Sequence, residues 1–215
     1  MQPTGSRQMQ QTVAELMPQF MENSFVKEIA TGSLSRAAVV NYVQQDNLYL
    51  DRFLTLYQQV LGALNPSLLE QTEHDIQREN GAHQVLLKVA QTTTDQIMTP
   101  VPAAKQVTKA YLEHMERSAE QSAFLGLASM QACPAVYSKL AQRLVQQGAN
   151  QADNPFADWI NFYVGTDDDF NHTMFHELDQ LSPTVTAAER QQAQQVFRKS
   201  CELELAFFTQ AEEDD

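Results

Sequence analysis

The stretch SRAAVVNYVQQDNLYLDRFLTLYQQVLGAL, residues Ser35 to Leu64, carries one unbroken seam: Val39, Val43, Asp46, Leu50, Phe53, Tyr57, Val60 and Leu64 follow one another at steps of four and three. Residues so spaced lie on one face of an α-helix, whereas a half-buried strand alternates every second residue. Ser35 is placed to cap this helix and Asn65-Pro66 to stop it, because a serine side chain accepts from a free first-turn N–H and proline cannot continue the hydrogen-bond ladder. One member of the seam is a carboxylate. Burying an unpaired charge is costly, so Asp46 calls for a partner on a neighbouring helix, a watered pocket or a ligand, and the pattern leaves the three open. Tyr49 follows three residues on, on an adjoining face with Tyr42 and Phe53.

The same period continues on both sides. A helix is expected over about Arg7 to Glu22, then a short one carrying Phe25, Val26 and Ile29 that Gly32 ends. Beyond the long helix a more polar one runs from Pro66 to about Thr94, with Glu79 and His83 at one-turn spacing as a surface ion pair. Ala103 to Ser129 reads as one helix bearing Tyr111, His114 and Met115, and the next ends near Gly148. After Asp153-Asn154-Pro155 come Phe156, Trp159, Ile160, Phe162, Tyr163 and Val164; Gly165 is expected to break this helix, with Thr166 and Asp169 as a capping box that restarts it. A second box, Thr186 with Glu189, opens the last helix. No segment alternates as a strand does, so the class is all-α, and 215 residues suit a single domain over 1–215 with 1–6 and 212–215 as tails.

Composition narrows the partners. With 27 Asp+Glu against 14 Lys+Arg the formal net charge is −13, which repels nucleic-acid backbones and anionic lipid. No apolar run approaches membrane-spanning length and the first residues lack a signal peptide's hydrophobic core. A cytoplasmic place is expected, and two cysteines, Cys133 and Cys201, form no disulfide framework.

Cys133 stands directly before Pro134 and one turn before Tyr137. Proline sits best at the first position of a helix, so Cys133 is expected at a helix N-terminus, where the positive end of the macrodipole favours a thiolate. A small buried core cysteine is the plainer alternative. The last helix has its own seam, Ala193, Phe197, Ser200, Glu204, Phe207 and Ala211, and a carboxyl among aromatic side chains is suited to proton transfer near neutral pH, or else is paired in the core. Cys201, mid-helix, reads as packing. Asp168, His172 and His176 fall at one-turn intervals, a spacing that suits metal ligands as well as the acidic first turn of a helix.

These residues together resemble the thiaminase II (TenA) family over nearly the whole chain, from Phe25-Val26 to Phe208. The motifs are Phe25-Val26 with Gly32-Ser33-Leu34, Gln45-Asp46-Asn47-Leu48-Tyr49-Leu50, Tyr111-Leu112-Glu113-His114-Met115, Cys133 to Tyr137, Trp159-Ile160-Asn161-Phe162-Tyr163, and Phe197, Ser200, Glu204 and Phe207. The chain departs from the family pattern at Ala132, Ala135 and Phe208, where proline, an aromatic residue and tryptophan are usual. The resemblance implies a heme-oxygenase-like bundle of about seven to eight helices and the hydrolysis of aminopyrimidines, or thiamin itself, in thiamin salvage. It implies Cys133 as nucleophile, Glu204 as proton shuttle, Asp46, Tyr49, Tyr111, Tyr137 and Tyr163 as substrate-binding residues, no metal or organic cofactor, and a homotetramer. Two alternatives stand beside it: a metal-dependent oxidase on the same scaffold using Glu79, His83, Asp168, His172 and His176, and a non-catalytic pyrimidine-binding or regulatory protein.

Overall fold

The computed structural model describes residues 5–69 and 81–213, with the side chains of 165–169 outside that description. In chain order the helices are α1 (Gly5–Glu22), α2 (Ser24–Thr31), α3 (Arg36–Leu64), α4 (described over 81–89), α5 (Thr94–Ile97), α6 (Gln106–Gln121), α7 (Ala123–Met130), α8 (Ala132–Gln146), α9 (Ala157–Leu181) and α10 (Ala187–Gln210). Short 3-10 turns occupy Pro66–Leu68 and Ser182–Thr184, and no strand occurs among the described residues. The class is the expected one, but among the described residues the helices number ten rather than seven to eight.

Three local features depart from the segments expected. The Ala103–Ser129 segment is two helices, because Ser122 leaves the helical region and its hydroxyl accepts from Leu125 N, capping α7. Thr93 and Gln96 form a reciprocal capping box that opens the one-turn α5. Conversely, Gly165 does not break α9, which runs through it without interruption. Glycine costs a helix only about 1 kcal/mol relative to alanine, and α9 buries Trp159, Ile160 and Tyr163 before it and Met174, Phe175 and Leu178 after it. Packing on both sides outweighs that propensity, and Thr166 lies inside the helix rather than at a cap.

The cap at Thr186 is one-sided. Its hydroxyl accepts from Glu189 N, while the Glu189 carboxylate accepts from Ser122 Oγ at 2.6 Å, tying the α6–α7 break to the start of α10. Ser35 caps α3 through Ala38 N as expected, and Gly32 ends α2 at φ 75°, the left-handed conformation that glycine adopts freely. Ser6 is buried and bonded through both N and Oγ to Asp179, so the chain is already part of the bundle at α1's second residue.

Helix α10 lies at the centre, packed against α1, α6, α7 and α8, with α3 against α6 and α7 and α8 against α9. The approach of α7 is close: a Cβ on Gly126 would stand 2.9 Å from Val60 Cγ2 and 3.0 Å from Ala119. Both seam carboxylates, Asp46 and Glu204, face the interior, the first from α3 and the second from α10. No helix among the described residues is long and apolar enough to cross a membrane.

Candidate active site

Tyr42, Asp46 and Tyr49 recur on α3 at steps of four and three, so they share one face; all three are buried. Burial of Asp46 requires a partner, and the structure supplies one: His83 Nε2 on α4 stands 2.6 Å from Asp46 Oδ2. His83 is 3% exposed. His83 is therefore in the interior rather than on the surface and bonds to α3, and its expected pairing with Glu79 lies outside the described residues.

From α8 come Cys133 and Tyr137. The thiol is half-buried, and Cys133 is the second residue of its helix with Pro134 third, not first. Only Gln131 separates α7 from α8. The positive end of α8 is therefore partly offset by the carbonyl end of α7, a weaker field than the isolated N-terminus inferred from Cys-Pro. Asn171 on α9 holds this junction, accepting from Gln131 Nε2 at 2.6 Å and donating to Pro134 O at 3.2 Å.

Glu204 on α10 is 2% exposed. It bears on the same phenols as Cys133: both raise the pKa values of Tyr49, Tyr111 and Tyr137, although burial is the largest cause for each. Asp46 and Tyr42 add to the rise at Tyr137. All three phenols lie well above their ordinary value, so they are neutral at any working pH and serve as fixed hydrogen-bonding groups. Tyr137 and Tyr42 share a hydrogen bond of 2.6 Å between their hydroxyls, and Tyr49 OH reaches Met115 Sδ at 3.7 Å.

Rings complete the walls. Tyr137 packs on Tyr163 at 4.8 Å and Tyr49 on Tyr111 at 5.0 Å. Phe208, the residue standing where tryptophan is usual in the pattern, stacks on Tyr42 with ring planes 5° apart and also meets Tyr137 and Phe25. The structure thus assembles Cys133, Glu204, Asp46, Tyr49, Tyr111, Tyr137 and Tyr163 from five helices. His114, from the same sequence motif as Tyr111, reaches Val196 O and Ser200 Oγ at 3.0 Å each and fastens α6 to α10 one turn before Glu204.

The second cysteine contrasts with the first. Cys201 is fully buried and its thiol is pushed far up, first by burial and then by the charge of Glu204; such a thiol is inert. A thiol-alkylating reagent on the folded protein is expected to modify Cys133 and spare Cys201, as peptide mass mapping checks. Modification of Cys201 at a comparable rate would contradict the assignment.

A profile of the TENA/THI-4/PQQC family matches residues 11–214. The chain belongs to that family. An aminopyrimidine aminohydrolase from Staphylococcus aureus (strain MRSA252) is 26% identical over 216 aligned residues, which cover 96% of this chain and 93% of that one. Among solved structures, a TenA homologue from P. horikoshii OT3 superposes with a TM-score of 0.77 at 19% identity, covering 97% of this chain and 98% of the other. A TenA homologue from Pyrococcus furiosus gives 0.79 at 15% identity, covering 96% and 99%.

For this TENA/THI-4/PQQC family member, three residues of the oxidase alternative are described with their side chains, His83, His172 and His176. His83 is bonded to Asp46, and Glu79 and the Asp168 side chain lie outside the described residues. His172 and His176 are exposed, their rings stacked with centroids 6.4 Å apart. Among the described residues no group of three or more His, Cys, Asp and Glu could hold a metal ion. Two residues enter that sequence reasoning did not place at the site, His83 and Tyr42. The buried charge of Asp46 called for a partner without saying which, and the hydroxyl pair of Tyr42 with Tyr137 left no mark in the sequence.

Proposed function

We propose that the protein is an aminopyrimidine aminohydrolase of the thiaminase II type, which converts aminomethylpyrimidine and water to hydroxymethylpyrimidine and ammonia. The observation that carries this is the convergence of a half-buried thiol and a buried carboxylate on the same three neutral phenols. A nucleophile and a proton carrier facing one pocket are what a two-step displacement needs. The aminohydrolase from Staphylococcus aureus, similar over almost the whole chain, supports the reading.

In this mechanism the Cys133 thiolate adds to the pyrimidine ring, and the exocyclic amine leaves with a proton from Glu204. Water then adds at the exocyclic carbon, giving up its proton to Glu204, and the thiolate departs as the ring regains aromaticity. Asp46 receives the ring's amino group, while Tyr49, Tyr111, Tyr137 and Tyr163 enclose the ring and orient it. With thiamin the thiazole ring would leave in place of ammonia.

The test is product analysis. Purified protein given aminomethylpyrimidine is expected to release ammonia and hydroxymethylpyrimidine in equal amounts, and thiamin in a parallel sample shows whether the larger leaving group is accepted. Absence of turnover on both would overturn the proposal.

A further inference from the structure

We propose that His83 is a positioning residue that fixes Asp46 as a hydrogen-bond acceptor, so that the pocket takes a pyrimidine bearing a ring amino group in preference to its oxo counterpart. This rests on the reading of the pocket given above and deepens it. The geometry is a buried pair on two helices, His83 at 3% and Asp46 at 7% exposure, with Nε2 and Oδ2 2.6 Å apart. A separation that short, away from water, marks a charge-assisted N–H···O bond. To donate to a carboxylate oxygen, Nε2 must carry the proton, which sets the ring's tautomer or leaves it doubly protonated.

Two consequences follow for a ligand. The bond occupies Oδ2 and anchors the carboxylate plane to α4 as well as to α3, leaving Oδ1 to a ligand amino group. One turn before Asp46 on the same face, Tyr42 holds the Tyr137 hydroxyl, so acceptor and ring wall are set from one helix. A carboxylate that accepts from His83 at one oxygen has only lone pairs to offer at the other; it welcomes an N–H and repels an oxo group. Without His83, Oδ2 would lose its donor and the carboxylate plane its tie to α4, so Oδ1 would no longer be held towards a ligand amino group and the preference for amino over oxo should shrink.

Binding is measured by calorimetry in the Cys133→Ser background, where substrate persists, with aminomethylpyrimidine and with the same compound carrying oxo in place of the ring amino group. With His83 present the amino compound is expected to bind more tightly, by at least about tenfold, the worth of one charge-assisted hydrogen bond. His83→Leu is expected to weaken the amino compound by about tenfold and to erase the preference. His83→Gln, whose amide nitrogen reaches the place of Nε2, should restore both. If His83→Leu does not fold, His83→Asn, whose amide falls short, carries the same expectation.

Equal behaviour of the Gln and Leu (or Asn) variants, or an unchanged preference, would overturn the positioning role. Turnover by the otherwise native protein, followed alongside, separates this from the proposed reaction. Turnover with no Gln–Leu contrast removes the positioning role alone. The contrast without turnover removes the reaction alone, and no binding with His83 in place removes both.

Discussion

Cys133→Ser is expected to lower the rate of aminomethylpyrimidine hydrolysis by at least about a thousandfold while the protein stays folded, because a serine hydroxyl is almost wholly un-ionised near neutral pH where an activated thiol is not. Cys133 is half-buried in the first turn of α8, and exchanging sulfur for oxygen there opens a void smaller than a methyl group. The phenols that Cys133 influences, Tyr49, Tyr111 and Tyr137, are untouched. Pyrimidine affinity should therefore survive within a few fold, and the loss should fall on kcat. Steady-state kinetics beside a melting curve makes the comparison. A variant that keeps its full rate would exclude addition of this thiol to the ring, since nothing else about the site has been changed.

The sequence reached Cys133, Asp46 and Glu204 through two different kinds of signal. The carboxylates were legible because a charged residue in an apolar seam contradicts the cost of burial, and the contradiction is local to one helix. Asp46 and Glu204 are indeed buried. The partner of Asp46 was not legible. His83 is 37 residues away on another helix, and its one-turn spacing from Glu79 suggested a surface pair; spacing shows which residues share a face, not which way that face points. Gly165 misled for a related reason, since its cost in a helix is small beside the packing of α9 on either side. The breaks at Ser122 and before Thr94 left readable marks, a serine two places before an apolar run and a Thr-x-x-Gln box. The helical period running through Ser122 outweighed the first, and the four residues of α5 are too few for a period to show. Tyr42 needed the tertiary structure, because a hydroxyl pair across 95 residues has no sequence signature.

Glu204→Gln should be the second large effect, a fall in kcat of about a hundredfold to ten-thousandfold, the span expected when a general acid–base group is removed. The amide matches the carboxylate in shape, so the packing of α10 against α6 and α8 is preserved, but it neither carries a proton to the leaving amine nor takes one from the attacking water. The argument turns on what surrounds position 204. Tyr49, Tyr111 and Tyr137 all feel the charge of Glu204, and burial holds all three phenols far above neutral pH. None of them can relay a proton by ionising, so none can stand in for the lost carboxyl. The thiol of Cys201 is no substitute either, being itself pushed far up one turn away. Loss of kcat with KM within a few fold of native is thus the expected result. A KM effect of equal size with kcat retained would instead place Glu204 among the groups that bind the ring, and the proton would have to reach the amine from solvent.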